Sequence, residues 1–203
     1  MLQRRANYII IFVYNNTLKA MMYMKIFVAS DIHGSAYYCK KLLAAASAEQ
    51  PDKILLLGDL LYHGPRNDLP RDYAPKHVIA MLNEQADKLL CVRGNCEAEV
   101  DQMVLNFPVM ADYAVLYAGG RAIYATHGHL FGEDNPPKLQ QGDVLLCGHT
   151  HVAKLAEHGG YVYANPGSVS IPKEQTPQGY IIITDDGLAF KTLDGEQYNK
   201  YSF

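Results

Sequence analysis

The chain has 203 residues, 49% of them hydrophobic and 19% charged, with a formal net charge of -3. That length and apolar content suit one globular domain with one sizeable core. The slightly acidic balance, without any basic tract, excludes a nucleic-acid binder that works by displacing counterions from bulk phosphate.

Arg4 and Arg5 precede an apolar run at residues 8–14 and so imitate the start of a signal peptide. The run is too short to cross a bilayer, and Asn15, Asn16 and Lys19 follow it where a small-residue cleavage site belongs. Residues 1–23 are therefore read as a non-functional extension, and Met24 as the start of a single domain over residues 24–203. The four cysteines, Cys39, Cys91, Cys96 and Cys147, form no C-x-x-C pair, which favours a reducing cytoplasm over a disulfide framework.

Short apolar runs then alternate with amphipathic stretches, the pattern of an α/β domain. Residues 26–29 read as a buried strand, 37–50 as an Ala- and Leu-rich helix stopped by Pro51, and 54–57 as the next strand. A helix over 74–86 and a strand over 89–92 repeat the unit. Beyond Phe107 the helical signal fades, and β-like runs dominate at 114–117, 122–125, 144–147, 161–164 and 180–184. Gly119-Gly120, Gly159-Gly160 and Asp186-Gly187 are placed to turn hairpins between them.

Five of these strands end alike, with a metal-capable side chain beside a glycine. The ends are Ser30-Asp31-Ile32-His33-Gly34, Gly58-Asp59, Arg93-Gly94-Asn95, Thr126-His127-Gly128-His129 and Gly148-His149-Thr150-His151. Side chains just past the carboxyl ends of neighbouring strands converge on one crevice in α/β folds, and glycine lets the backbone turn there. Carboxylate, carboxamide and imidazole together suit borderline divalent ions better than thiolate-selecting ones. Two such ions about 3.5–4 Å apart can clamp the attacking and leaving oxygens of a phosphoryl displacement.

The order and grouping of Asp31-x-His33, Gly58-Asp59, Gly94-Asn95, His127-Gly128-His129 and Gly148-His149-x-His151 resemble the calcineurin-like metallophosphoesterase signature. His63-Gly64-Pro65-Arg66-Asn67, Arg93-Gly94-Asn95-Cys96 and Asn165-Pro166-Gly167-Ser168 resemble the small bacterial YfcE-type phosphodiesterases in particular. The resemblance covers residues from Met24 to the C-terminus. It implies a four-layer α/β sandwich, two mixed β-sheets face to face with flanking helices.

It also implies that Asp31, His33 and His151 hold one ion, that Asn95, His127 and His149 hold another, and that Asp59 bridges them. A hydroxide shared by the ions would be the nucleophile, and Asp59, Asn95 and His127 count as catalytic as well as ligating. His129 is a weaker metal candidate. Mn²⁺ is the expected ion, with Fe²⁺, Zn²⁺ or Ni²⁺ as alternatives.

His63, Arg66, Arg93 and Cys96 are expected to contact a small phosphate-ester substrate; for His63 and Arg66 the plain alternative is a solvated loop. Cys96 stands where many relatives carry the histidine that protonates the leaving group, and a thiol is a poor substitute acid. His77 is read as a helix-surface residue, His158 as a turn residue beside Gly159, and Asn165-Pro166-Gly167-Ser168 as a turn, with positioning of a loop over the metals as an additional role. No membrane segment is expected, and a homo-oligomer is open. Phosphodiester hydrolysis is the favoured activity. The rivals are phosphomonoester hydrolysis on the same two-metal core and a non-catalytic scaffold of the same fold, which intact ligand chemistry at seven positions opposes.

Overall fold

The computed structural model describes the backbone of Tyr8–Ile10 and residues 24–203. Strand β2 (Ile26–Ala29) is buried along its whole length, as a strand covered on both faces must be. Its side chains alternate between two cores: Phe27 and Ala29 join one apolar cluster, Ile26 and Val28 the other. Numbered after β1 (Tyr8–Ile10), it is followed by α1 (Ala36–Glu49), β3 (Lys53–Leu56), α2 (Pro75–Asn83) and β4 (Leu89–Cys91).

Both longer helices have local reasons to start and stop. Ser35 caps α1, its hydroxyl accepting from the Tyr38 N–H at 3.3 Å, and Gln50 ends it in the left-handed region before Pro51. Pro75 opens α2 at a position where its missing N–H costs nothing. Cys39, Leu42 and Ala46 of α1 and Val78 and Leu82 of α2 pack on the outer face of the first sheet.

A four-residue helix, α3 (Glu99–Gln102), precedes the β-rich half: β5 (Tyr113–Ala118), β6 (Arg121–Ala125), β7 (Val144–Leu146), β8 (Ala153–His158), β9 (Tyr161–Pro166), β10 (Gly179–Thr184), β11 (Gly187–Thr192) and β12 (Gln197–Ser202). The strands form two mixed six-stranded sheets, ordered β12-β11-β10-β2-β3-β4 and β1-β5-β6-β7-β9-β8. Val28, Leu55 and Ile181 of the first meet Leu116, Ile123, Val144 and Val162 of the second in the core between them. This is the face-to-face α/β sandwich implied by the sequence.

The outer layers are unequal. Helices α1 and α2 cover the first sheet, whereas the outer face of the second, with Leu145, Cys147 and Tyr163, is met by Leu139 of a helix-free segment. All three expected glycine turns join neighbouring strands. Of the segment 1–23, the backbone of Tyr8–Ile10 lies parallel to β5 as an edge strand. The rest of that expectation lies outside the described residues. No helix among them is long and apolar enough to cross a membrane.

Strand direction fixes where the chemistry collects. Strands β2, β3 and β4 are mutually parallel, as are β6, β7 and β9. Their carboxyl ends release residues 30–34, 58–59, 93–97, 126–129, 147–151 and 165–170 on one side of the sandwich.

Candidate metal centre

The turns at these strand ends are unusually tight. Asp31, His33, Asp59, His149 and His151 all have positive φ, between 50° and 68°, a region that L-residues with a Cβ avoid. Such backbone strain persists only where the surroundings over-determine it. Here they do: the Asp31 N–H donates to the Gly58 carbonyl at 3.1 Å, His33 N–H to Asp59 at 2.9 Å and Gly148 N–H to His127 at 2.9 Å. Glycine is required between the loops, because a Cβ on Gly58 would strike the Gly94 backbone and one on Gly94 would strike the Asp59 carboxylate.

The imidazole hydrogen bonds decide what the site presents. His33 Nδ1 lies 2.7 Å from the Tyr62 carbonyl, His127 Nδ1 2.6 Å from that of Leu57 and His151 Nδ1 2.9 Å from that of Ile171. A carbonyl only accepts, so each Nδ1 carries the hydrogen and each Nε2 of a neutral ring offers a lone pair. These lone pairs face one another and the carboxylates. His33 Nε2 is 3.1 Å from His151 Nε2, and Asp31 Oδ1 is 3.4 and 3.2 Å from the two.

That oxygen is buried and has no hydrogen-bond partner. Beside it, His127 Nε2 lies 3.1 Å from Asn95 Oδ1, 3.2 Å from His149 Nδ1 and 3.5 Å from Asp59 Oδ1. Asp59 turns its other oxygen toward His33, at 3.7 Å. All seven expected ligands are thus brought together in two adjoining groups, with Asp59 facing both. With neutral rings these lone pairs would converge without a donor between them, and either protons or divalent cations relieve that repulsion, so the donor set fits metal.

The electrostatics agree. Burial disfavours charge on Asp31, yet the His151 and His33 rings hold its carboxyl well below the usual range. Burial likewise opposes charge on His127, but the Asp59 and Asp31 carboxylates carry it up to about 9.

Several positioning residues were not legible in the sequence. Glu97 is buried, and its carboxylate accepts the N–H groups of Asp59 at 2.9 Å, Leu60 at 2.7 Å and Gly94 at 2.5 Å, tying two ligand loops together. Burial and the nearby Asp59 charge push its pKa up while those three donors hold it down. The Asn165-Pro166-Gly167-Ser168 turn is an anchor as well: Asn165 Nδ2 donates to the Gly148 carbonyl at 2.7 Å, and the Ser168 hydroxyl to that of Asp31 at 2.8 Å. The motif marks the turn, while its hold on Asp31 comes from the Ser168 hydroxyl.

A cleft of about 430 Å³ opens on the centre, with Asp59, Asn95, His149 and His151 in its lining together with Arg66 and Cys96. The other two expected substrate contacts do not line it. The His63 ring packs edge-on against Tyr62 and Tyr73, with its Nδ1 buried and unpartnered. Arg93 is half-buried, and its charge bears on His129.

His129 lies beside the second group, its ring centroid 5.4 Å from that of His127 and 6.2 Å from that of His149. Burial and the His127 and His149 rings bring its pKa down to about 4. Burial and Asp59 push the Cys96 thiol far above its ordinary value, which leaves no thiolate to act as a nucleophile. His77 is exposed on α2, and His158 closes β8 with its ring 2.8 Å from Glu133.

A family model described as the calcineurin-like phosphoesterase superfamily domain matches residues 24–187. The chain belongs to that superfamily. This phosphoesterase is 44% identical to phosphodiesterase YfcE of Escherichia coli (strain K12) over 173 residues, 85% of this chain and 94% of that protein. The solved structure of YfcE, described as a phosphoesterase from E. coli, matches with a TM-score of 0.85 and 43% identity, covering 88% of this chain and 99% of that one. Vacuolar Protein Sorting 29 from Cryptosporidium parvum shares the fold at a TM-score of 0.58 and 16% identity, over 89% and 99% of the two chains. The protein is accordingly a hydrolase acting on phosphoester bonds.

Proposed function

We propose that this phosphoesterase cleaves phosphodiesters of small molecules at a centre of two divalent ions, Mn²⁺ by preference. The observation that carries the reading is the pair of facing Nε2 lone pairs of His33 and His151 around the unpartnered Asp31 oxygen, adjoining a second such group through Asp59. Asp31, His33 and His151 hold one ion, Asn95, His127 and His149 the other, and Asp59 bridges. When bound, the ions supply the positive charge that makes hydroxide available from water near neutral pH and polarises phosphoryl oxygens. The carbonyls of Tyr62, Leu57 and Ile171 fix the imidazole tautomers so that Nε2 of His33, His127 and His151 faces inward, while His149 turns its Nδ1 to the group.

Diester cleavage is favoured over monoester cleavage by the shape around the centre. A second cleft of about 330 Å³, lined by Gly128, His129, Leu130 and Asn135, shares His149 and Thr150 with the first, so a phosphate at the centre has room for an organic arm on each side. The name carried by the E. coli relative points the same way. All four cysteines are free, which supports a reducing compartment.

The test is turnover of bis(p-nitrophenyl) phosphate against p-nitrophenyl phosphate by the Mn²⁺-loaded protein. Diester turnover should exceed monoester turnover. The reverse preference would make the protein a monoesterase, and inertness toward both with metal bound would favour the scaffold.

A further inference from the structure

The walls of the catalytic cleft carry more positive charge than a simple diester can use. Arg66 and Lys173 both line it, and Asp59 is its sole carboxylate among the described residues. Neither cation makes a side-chain hydrogen bond or ion pair with the described residues, and both are exposed to the cleft and solvent. Some lysines are paired with carboxylates, Lys25 and Lys191 with Glu49 and Lys154 with Glu133, whereas no carboxylate besides Asp59 lines this cleft among the described residues.

The chain presents the two cations deliberately. Gly64, at φ 79°, and the Asn67 side chain, which donates to the His63 carbonyl at 2.9 Å, fold residues 63–67 into a closed loop that carries Arg66. Lys173 is tied to the centre itself. Its backbone N–H donates to the His151 carbonyl at 2.9 Å while the His151 ring donates to the Ile171 carbonyl, so the segment wraps the ligand it supports. Glu174 and Gln175, next along, both have positive φ, at 52° and 58°, so the turn that follows Lys173 is held in a strained conformation.

Charge balance indicates what this arrangement is for. Two divalent ions against Asp31, Asp59, Glu97 and the shared hydroxide leave the centre neutral, so one cleft cation is enough to balance the single negative charge of a diester phosphate. Arg66 and Lys173 together then leave one positive charge over, and cations without carboxylate partners along a cleft attract a further anionic group.

We propose that the alcohol arm seated in this cleft carries a second anionic group, a carboxylate or a further phosphate, held by Lys173 and Arg66. The proposal rests on the diesterase reading and narrows its substrate class. In this role the two residues determine specificity and take no part in bond cleavage.

The experiment uses the Mn²⁺-loaded full chain and p-nitrophenyl propyl phosphodiesters whose propyl arm ends in hydroxyl, carboxylate or phosphate. For wild type, kcat/KM should rise about tenfold from the hydroxyl to the phosphate terminus, mostly through KM, and that advantage should shrink with added salt. Lys173→Met and Arg66→Met should each remove most of the advantage, and Lys173→Arg should restore it. Equal kcat/KM for all three arms in wild type would overturn the proposal while leaving the diesterase reading intact. A Lys173→Met loss that is the same for every arm would overturn it too. No turnover of the hydroxyl-ended diester would instead refute the diesterase reading itself.

Discussion

The Nε2 atoms of His33 and His151 stand 3.1 Å apart, each ring anchored through Nδ1 to a main-chain carbonyl. Two facing lone pairs at that separation form a donor group that fits a cation.

The Glu97 carboxylate sets how firmly it is built. Glu97→Gln replaces an acceptor oxygen with an NH₂ group facing backbone N–H groups, so at least one of its three buried hydrogen bonds is lost. The expected cost is about 1–3 kcal/mol of stability. Because Asp59 and Gly94 are displaced with it, Mn²⁺ affinity should fall roughly 10- to 100-fold, although Glu97 does not line the cleft. Denaturant melts and metal titration of the variant measure both. Unchanged metal affinity would mean that Glu97 only fills space.

Metal binding should be coupled to proton release. In the metal-free protein the Asp59 and Asp31 carboxylates keep a proton on His127, whose pKa is up to about 9 against an ordinary 6.5. A raised histidine pKa stabilises the metal-free fold fully below about pH 6.5, and that contribution is lost as pH rises through about 9. A cation needs the same lone pair, so Mn²⁺ affinity should increase with pH up to about 9. Calorimetry at pH 7 in buffers of different ionisation enthalpy should register protons leaving the protein. A buffer-independent enthalpy would contradict the assignment of His127 as a ligand.

Cys96 occupies the place where a leaving-group acid is absent, and its thiol is held protonated by burial and Asp59. The rate should therefore depend steeply on leaving-group pKa. General-acid assistance is worth roughly 10²–10⁴-fold, so Cys96→His should raise turnover of poor-leaving-group esters and barely affect activated ones. If Cys96 is only packing, the larger ring slows every ester alike. A series of aryl and alkyl diesters of graded leaving-group pKa separates these outcomes.

The parts of the fold that could be read from sequence are those where one residue type has one use. An apolar run followed by Gly and an Asp, His or Asn marked each strand end of the centre, and Pro51 and the glycine pairs marked the breaks. Strands β8 and β12 escaped because Lys154 and Glu157 are exposed and β12 is exposed over most of its length. Their strand identity comes from register against β9 and β11, which leaves no apolar pattern. Glu97 escaped for a related reason: a glutamate just before a short helix reads as a solvated charge until the N–H groups of two separate loops are seen to point at it. The positive φ of the ligands was not legible, since Asp and His adopt the left-handed region more readily than most residues yet only in a minority of cases.

Translation from Met24 should yield soluble protein with activity within about twofold of the full chain. The edge strand β1 is three residues long, and the first strand of the parallel set that carries the centre, β2, begins at Ile26. Loss of soluble, active protein on truncation would show that β1 protects the β5 edge and is needed for folding.

The most direct test is the number of Mn²⁺ ions per chain, counted by elemental analysis of protein equilibrated with excess metal and freed of unbound ion. Wild type should hold two. Asp59→Asn, which removes the carboxylate facing both groups, should lose more metal and more turnover than Asp31→Asn, with each variant reduced by roughly 10²-fold or more in rate. A single ion in wild type, or an Asp59→Asn protein that keeps both ions and near-normal turnover, would contradict the two-ion centre bridged by Asp59.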